Sequence, residues 1–377
     1  MVTARRNILR VLEHEQPEWV PICGHCDPWN QPNREGMDPG LAIGMGPVGW
    51  CDESTIAFSR YLGLDIIDFV PPPVAVTRRC VSVDSVQDDR DTITTWHTPA
   101  GDLREVLRLC RDEVTSYRVE HAVKSPADLP ALAAIFEDMG LALDDAALGA
   151  ISHRAELIGD DGILMCFLDG TPLGMMYRVY SGPETLAYLW ADARQALSDL
   201  FSVMEQRYKE WFGLTCQSRV DALVSMDDTS TTVISPAMFE AFNLECTNGR
   251  AGLCHAAGKL YFHHSCGLLR DLLPLYRQTD MDAVHAFTVP PIGDVTIAEG
   301  RKRLGDRITI IAGVAPLAEV SADPETMRRG VRELLDGAPR DHLIFMLAAY
   351  PHKTMADTRA VLGECRTYAP RPPRPLT

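Results

Sequence analysis

The stretch from Lys259 to Gly267 ends in a histidine and a cysteine that are separated by one residue. The apolar residues before them predict a buried strand, and side chains at positions i and i+2 of a strand point the same way. His264 and Cys266 should therefore face one point, and imidazole and thiolate are common ligands of zinc. Gly267 lets the chain turn sharply beyond them. The alternative is a structural strand whose last histidine and cysteine are simply buried, and the spacing alone leaves both interpretations open.

Eight short apolar runs alternate with helix-like stretches along the 377 residues, and this order predicts a parallel (β/α)8 TIM-type barrel. Between the runs, residues 184–212 and 324–335 carry apolar side chains at helical spacing. A doubly wound open sheet is the alternative, but no glycine-rich nucleotide-binding motif supports it. The expected strands are residues 20–24, 66–70, 163–168, 222–226, 260–264, 283–287, 308–313 and 343–347.

Three segments depart from this alternation. Residues 74–118 carry valine, threonine and arginine in two-residue alternation with turn signals between them, which predicts an antiparallel β insertion after the second strand. Residues 27–52 form a long irregular loop of the kind used as a lid or binding loop. Residues 370–377 are too rich in proline to pack and are expected to be disordered. We expect one domain that spans residues 1–377.

Charge and composition exclude several classes of partner. Lysine plus arginine number 36 against 52 aspartate plus glutamate, a net charge of −16, whereas nucleic acids and anionic membranes need a basic surface. No apolar run reaches the length of a membrane-spanning helix, and the N-terminus lacks the apolar core of a signal peptide. The eleven cysteines are spread thinly, as expected for reduced thiols. These features predict a cytoplasmic protein that binds neither nucleic acid nor membrane.

In a barrel of this type the carboxyl ends of the strands form one face, where enzymes carry their chemistry. Five of the eight expected strands end in histidine, cysteine, aspartate or tyrosine, and this convergence favours the metal interpretation of the fifth strand. The residues concerned are Cys23, His25 and Cys26 after the first strand, Asp169 after the third, Asp227 and Asp228 after the fourth, His264 and Cys266 after the fifth, and Tyr350 and His352 after the eighth.

The chain resembles the uroporphyrinogen decarboxylase superfamily over residues 3–368. Within it, the similarity is greatest to the zinc methyltransferases that serve corrinoid-dependent methyl transfer. The residues that carry the resemblance are the His264-Ser-Cys-Gly267 tip, Gly258-Lys259 before it and Gly305-Asp-Arg-Ile-Thr-Ile-Ile-Ala-Gly313 after it, with supporting matches at Val220-Asp221, Asp227-Asp228 and Ile234-Ser235-Pro236.

The resemblance implies an eight-stranded barrel, a zinc ion and a small-molecule methyl donor or acceptor. It also implies a corrinoid, either on a partner protein or as the substrate, and a homodimer. The methyltransferase branch normally completes its zinc site with a cysteine just past the last strand, but residues 345–352 contain none. His352 is the matching residue, so the implied ligands are His264, Cys266 and His352, and both imidazole and thiolate bind zinc well.

The same comparison argues against a porphyrinogen substrate. True uroporphyrinogen decarboxylases carry an Arg-Gln-Ala-Gly-Arg segment after the first strand, whose arginines hold the propionates of the substrate. The corresponding residues 21–30 contain no arginine, in a chain with a net charge of −16. A tetrapyrrole with eight carboxylates would find few cationic partners there.

Three residues near the expected zinc site are candidates for catalysis. Asp227 and Asp228 could supply an exchangeable ligand or orient the substrate, although a pair of turn residues that cap the strand is an equal alternative. His25 could act as an acid or base near neutral pH. Cys23 and Cys26 have redox-type spacing, but no second cysteine pair or thioredoxin-like pattern accompanies them, and their role stays open.

The leading hypothesis is a zinc-dependent methyltransferase or demethylase that moves a methyl group between a small substrate and a corrinoid or thiol. The second is a decarboxylase, with or without metal, of a small carboxylic acid other than uroporphyrinogen. The third is a non-catalytic binding barrel, which the clustering of histidine, cysteine and aspartate at strand ends disfavours.

Overall fold

The computed structural model describes residues 2–24, 53–111, 116–313, 324–347 and 355–368, and its centre is a nearly closed barrel of eight parallel strands surrounded by helices. The strands are β1 (Ile22–Gly24), β2 (Ile66–Val70), β3 (Val74–Thr77), β4 (Ser82–Asp88), β5 (Asp91–Thr98), β6 (Gly101–Leu109), β7 (Ser116–Glu120), β8 (Gly140–Leu143), β9 (Gly162–Asp169), β10 (Ala222–Met226), β11 (Leu260–His264), β12 (Ala283–Phe287), β13 (Thr309–Ala312) and β14 (Leu343–Leu347). The barrel order is β1-β14-β13-β12-β11-β10-β9-β2, so all eight expected strands are present and the (β/α)8 prediction is confirmed.

The helices of the described residues pack outside this barrel or close its end. They are α1 (Ala4–Leu12), α2 (Glu53–Leu62), α3 (Leu129–Glu137), α4 (Asp145–Ile158), α5 (Pro172–Met175), α6 (Gly182–Asp192), α7 (Arg194–Thr215), α8 (Pro236–Met238), α9 (Leu244–Ala256), α10 (Leu273–Tyr276), α11 (Ile297–Leu304), α12 (Pro324–Leu335) and α13 (Met355–Tyr368). Short π-helical turns follow α5 at Met176–Tyr180 and α8 at Phe239–Asn243. Within the part of the chain that the structure describes, none of the helices has the length and apolar character needed to cross a bilayer.

The barrel strands are buried on both faces, which explains why they read as continuous apolar runs rather than as alternating ones. Along each strand, every second side chain points into the barrel and fills it, and the side chains between them pack against the helices. The inward set includes Ile67, Phe69, Ile163, Met165, Ala222, Val224, Phe262, Ala283, Ile311, Ile344 and Met346.

Helix α1 closes the N-terminal end of the barrel. Its residues Ile8, Val11 and Leu12 pack against the inward side chains of the strands. Thr309 of β13 donates a hydrogen bond of 3.0 Å from its hydroxyl to the carbonyl oxygen of Val11. Since this end is plugged, a ligand would have to approach from the carboxyl ends of the strands.

Asp65 joins the first and second strands, which are not neighbours in the hydrogen-bonded strand order. Its backbone N–H donates to the carbonyl oxygen of Ile22 at 2.9 Å. Its Oδ2 accepts from the backbone N–H of Ile22 at 3.0 Å and from the indole N–H of Trp19 at 3.1 Å. One buried carboxylate therefore substitutes for ladder hydrogen bonds between β1 and β2.

The expected antiparallel insertion is also present. Strands β4 to β7 form a four-stranded antiparallel sheet over residues 82–120, and Leu103 and Val106 of β6 are buried in it. Strand β3 does not join this sheet; it pairs antiparallel with β8, a strand that the sequence analysis did not predict. The expected helix over residues 184–212 is two helices, because the chain leaves helical geometry at Ala193, where φ is −133°. The expected loop over 27–52 and the tail over 370–377 lie outside the described residues, and the single-domain organisation stays a prediction.

We predict that Asp65→Ala will lower the free energy of unfolding by about 2–3 kcal/mol, because it leaves buried N–H donors of Trp19 and Ile22 without an acceptor. Urea unfolding followed by tryptophan fluorescence measures the effect. Asp199→Ala, at an exposed aspartate of α7, is the control and should change stability by less than about 0.5 kcal/mol. Equal midpoints for the two variants would contradict this account of barrel closure.

Candidate metal centre

Three side chains with metal-binding atoms meet at the carboxyl ends of the neighbouring strands β10 and β11. They are Asp228, His264 and Cys266, and their ligand atoms all lie within 4.8 Å of one another. His264 Nε2 lies 2.9 Å from Asp228 Oδ1 and 3.2 Å from Cys266 Sγ. All three residues are half-buried.

This donor set fits zinc by its chemistry. A thiolate, a neutral imidazole and a carboxylate are the ligand types that zinc takes in proteins, at about 2.0–2.3 Å from the ion. Magnesium and calcium prefer shells made only of oxygen, so Cys266 disfavours them. The half-buried position also suits a site that keeps one position for a substrate.

The backbone beyond β10 turns so that Asp228 reaches the cluster. Asp228 has a φ of +50°, an unusual conformation for a residue other than glycine. Its backbone N–H donates to the carbonyl oxygen of His264 at 3.0 Å, which ties the loop to β11. The hydroxyl of Tyr177 donates to the carbonyl oxygens of Asp227 and Asp228. Arg178 Nε lies 2.8 Å from Asp228 Oδ2, so each carboxylate oxygen has its own cationic or imidazole partner.

The loop that carries Cys266 is fixed in a similar way. Gly267 has a φ of +107°, and a Cβ at this position would lie 2.7 Å from the hydroxyl oxygen of Ser230. That same hydroxyl accepts a hydrogen bond of 3.0 Å from the backbone N–H of Leu268. Only glycine satisfies both the left-handed conformation and the close approach, which agrees with the sharp turn expected after the strand.

Opposite charges and hydrogen bonds connect the side chains of the cluster. Burial lowers the pKa of His264, but hydrogen bonds to Asp228 and Cys266 outweigh it and raise that pKa to about 9. Burial raises the pKa of Asp228, and its contacts with His264 and Arg178 outweigh burial and bring that pKa below its usual value. At neutral pH the metal-free site therefore contains an imidazolium paired with a carboxylate. A metal bound at His264 Nε2 has to displace that proton.

Asp227 does not reach the cluster, because its side chain points into the barrel wall and is fully buried. Its Oδ1 accepts hydrogen bonds from the backbone N–H of Thr171 at 2.8 Å and from the Thr171 hydroxyl at 2.5 Å. Its Oδ2 accepts from the Ser225 hydroxyl at 2.5 Å and lies 3.3 Å from His263 Nδ1. Asp227 therefore holds the strand end in place, whereas Asp228 contacts His264 in the cluster.

The structure describes only some of the other candidate site residues proposed from the sequence. His25, Cys26 and His352 lie outside the described residues, so their roles stay predictions. Cys23 is described and is buried among the inward apolar side chains.

His263 and His264, adjacent on β11, point to opposite sides of the strand, as the two-residue period predicts. His263 is fully buried in the wall, where its Nε2 lies 2.7 Å from the hydroxyl of Thr229. His264 faces the interior, where its ring contacts the edge of Phe167. One strand tip therefore contributes both to the packing of the wall and to the cluster.

Sequence reasoning missed three residues at this site: Tyr177, Arg178 and His285. Tyr177 and Arg178 lie in the π-helical turn after α5, and such turns are frequent at functional sites. His285 Nδ1 lies 2.7 Å from His264 Nδ1. A signal was available for His285, because it is a histidine placed within an apolar strand next to the one that ends in His264. Nothing in the local sequence indicated Tyr177 or Arg178.

Comparison with known proteins finds a matching family model and several similar folds. The family model described as uroporphyrinogen decarboxylase (URO-D) matches residues 116–365. A methyltransferase from Methanosarcina mazei superposes with a TM-score of 0.61 at 13% identity, over 98% of this chain and 99% of that chain. A B12-independent methionine synthase from Shewanella sp. W3-18-1 gives a TM-score of 0.47 at 10% identity, over 82% of this chain and 83% of that chain. None of the curated proteins compared with the chain matches it. At these identities the structural likeness shows the fold alone.

We predict that Cys266→Ser will abolish stoichiometric zinc binding, because a hydroxyl is a poor substitute for a thiolate ligand. Metal content after growth with ample zinc and extensive dialysis is the measurement. Cys80→Ser, at an exposed cysteine away from the cluster, is the matched control and should keep its zinc. The same measurement on His352→Ala tests the third ligand, whose loss should weaken binding by orders of magnitude. Full retention of zinc by Cys266→Ser would refute the assignment of this ligand.

A second prediction separates the two aspartates, which the sequence analysis treated alike. Asp227→Asn should lower the free energy of unfolding by about 1–3 kcal/mol, because the amide cannot accept all the hydrogen bonds that the buried carboxylate accepts. Asp228→Asn should change stability by less than about 1 kcal/mol, because this carboxylate is partly exposed, while it weakens zinc binding. Thermal unfolding and metal titration of both variants provide the data. Reversed effects at the two positions would contradict the assignment.

Proposed function

This chain belongs to the uroporphyrinogen decarboxylase family, and we propose that it is a zinc-dependent methyltransferase or demethylase. It would move a methyl group between a small substrate and a corrinoid or thiol acceptor. The observation that carries the proposal is the meeting of Asp228, His264 and Cys266 at the open end of the barrel. A carboxylate, an imidazole and a thiol within reach of one ion are ligand types that zinc takes in proteins.

Each described residue of the cluster has a distinct part in this proposal. His264 and Cys266 would hold the ion, and Asp228 would supply a further ligand that a substrate can displace. A zinc ion in such a site would lower the pKa of a substrate thiol or polarise the atom that bears the methyl group. Arg178 keeps Asp228 oriented through the contact of 2.8 Å with its carboxylate. The proposal also includes two roles that were inferred from the sequence. His352 would be the third zinc ligand, and His25 would act as an acid or base.

The nature of the substrate follows from charge. Residues 21–30, which include β1, contain no arginine, and the chain carries a net charge of −16. A polycarboxylate such as uroporphyrinogen would therefore lack cationic partners there, and we propose a small methyl donor or acceptor instead. The likeness to a methyltransferase fold from Methanosarcina mazei supports this choice of reaction at the level of the fold. A corrinoid protein as partner and a homodimer are part of the same proposal.

Family membership favours a second candidate, a decarboxylase of a small carboxylic acid. Arg178 beside the cluster could pair with a substrate carboxylate through its Nη2. Its Nε contacts Asp228 and its Nη1 donates to the carbonyl oxygen of Met226, and the side chain is 26% exposed. Metal content distinguishes the two candidates. Tight stoichiometric zinc favours methyl transfer, and its absence from protein grown with ample zinc favours the decarboxylase.

The proposed activity can be tested with methylcobalamin and a small thiol such as 2-mercaptoethanol under anaerobic conditions. Transfer of the methyl group to the thiolate forms a thioether and leaves cob(I)alamin, and the change in cobalamin absorbance reports the rate. We predict that zinc-loaded protein accelerates this reaction and that Cys266→Ser does not, whereas Cys80→Ser retains the activity. Equal rates for the zinc-loaded protein, the metal-stripped protein and a protein-free control would overturn the proposal for this methyl donor and acceptor.

A further inference from the structure

His285 lies against the side of His264 that faces away from the cluster. The two residues are directly paired in the parallel ladder between β11 and β12. Their Nδ1 atoms are 2.7 Å apart, and His285 is 2% exposed. Phe167 contacts both rings edge-on, with centroid distances of 6.3 Å to His264 and 5.4 Å to His285. The two imidazoles therefore form a closely packed unit next to the ligand atoms.

The backbone of β12 is deformed where it carries His285. The ladder with β13 shifts register between His285 and Phe287, and Ala286 between them has a φ of +61°. In a regular strand, Phe287 would lie on the same face as His285 and Ala283. Instead, Ala283 packs inside the barrel while Phe287 packs with the outer core. The bulge thus makes His285 the last inward-facing residue of its strand.

The same bulge is connected to the loop that carries Cys266. The hydroxyl of Thr288 donates to the carbonyl oxygen of Ala286 at 3.0 Å. It also accepts from the backbone N–H of Gly267 at 3.1 Å. A left-handed alanine costs free energy, and such strain and such bulges concentrate beside functional sites. The deformation of β12 and the position of Cys266 therefore depend on one another.

The tautomer of His264 determines which hydrogen bond His285 can make with it. His264 presents Nε2 to Asp228 and Cys266, so a neutral His264 that binds a metal through Nε2 must carry its proton on Nδ1. That Nδ1–H can donate to His285 Nδ1 only if His285 carries its own proton on Nε2. Ligating histidines commonly have such an outer partner, which fixes the tautomer and the orientation of the ring.

We propose that His285 is a positioning residue, which holds His264 in the tautomer and orientation that present Nε2 to a metal. This inference rests on the proposed metal site, but it concerns a residue that does not touch the ion. The alternative is that His285 only fills space between β11 and β12. The two accounts differ in one respect: positioning needs a hydrogen-bond acceptor at the place of Nδ1, whereas packing needs only the volume.

An isosteric pair of variants separates these accounts. His285→Asn places a carbonyl oxygen where Nδ1 stood, and His285→Leu has nearly the same shape without an acceptor. Zinc affinity, measured by competition with a chromophoric chelator, should stay within a few-fold of wild type for His285→Asn. It should fall about 10- to 100-fold for His285→Leu. His285→Gln carries its amide one bond further out and should behave like His285→Leu, which keeps the test valid if the leucine variant does not fold.

Cobalt substitution supplies a readout that is independent of activity. The thiolate-to-cobalt and ligand-field absorption bands of the Co2+ protein should match wild type in His285→Asn and shift in His285→Leu. Equal affinities and spectra for the asparagine and leucine variants would overturn the positioning role while the metal site stands. A wild-type protein that binds neither zinc nor cobalt would overturn the proposed function, and this inference with it.

Discussion

The arrangement of the strand ends depends on the hydrogen bonds that the buried guanidinium of Arg250 makes. It is fully buried between α9 and the barrel, and it forms two hydrogen bonds, of 3.1 and 2.6 Å, with the carboxylate of Glu205 on α7. Its other donors reach the carbonyl oxygens of Asp169 and Gly170 and the hydroxyl of Ser225. A buried charge requires this degree of pairing, since an unpaired one would cost several kcal/mol. The ends of β9 and β10 are therefore joined to two helices through one side chain.

The position of the candidate metal centre follows from that network. Ser225, which accepts a hydrogen bond from Arg250, donates to Asp227, and Asp227 accepts two more hydrogen bonds from Thr171. With Asp227 held in the wall, the next residue turns back toward the mouth and brings its carboxylate to His264. The ligands are thus placed on rigid strand ends, and the supporting polar groups are themselves hydrogen-bonded, which a precise metal site requires.

Opposite charges are paired within the cluster itself. The imidazolium of His264 lies between the carboxylate of Asp228 and the thiol of Cys266, and Arg178 supplies a second positive charge at the outer oxygen of that carboxylate. These cations occupy the place that a metal ion has in the electrostatics of such sites. Exchange of a proton for a metal at His264 Nε2 would therefore preserve the sign of the charge at the centre of the cluster.

By itself, the sequence determined the eight strands, the β insertion and the pairing of His264 with Cys266. Each of these follows from a local period: continuous apolar runs for strands buried on both faces, and a spacing of two for side chains on one face. The same two-residue period, continued past Met226, would also have predicted that Asp227 and Asp228 point in opposite directions. Only the tertiary structure decided which distant residues support the cluster. Arg178 and His285 contact it through helix packing, strand register and a bulge, and Arg250 supports it indirectly through Ser225 and Asp227. These contacts join parts of the chain far apart in sequence, and the local pattern of residue types does not specify them, although His285 is marked as a histidine within an apolar strand.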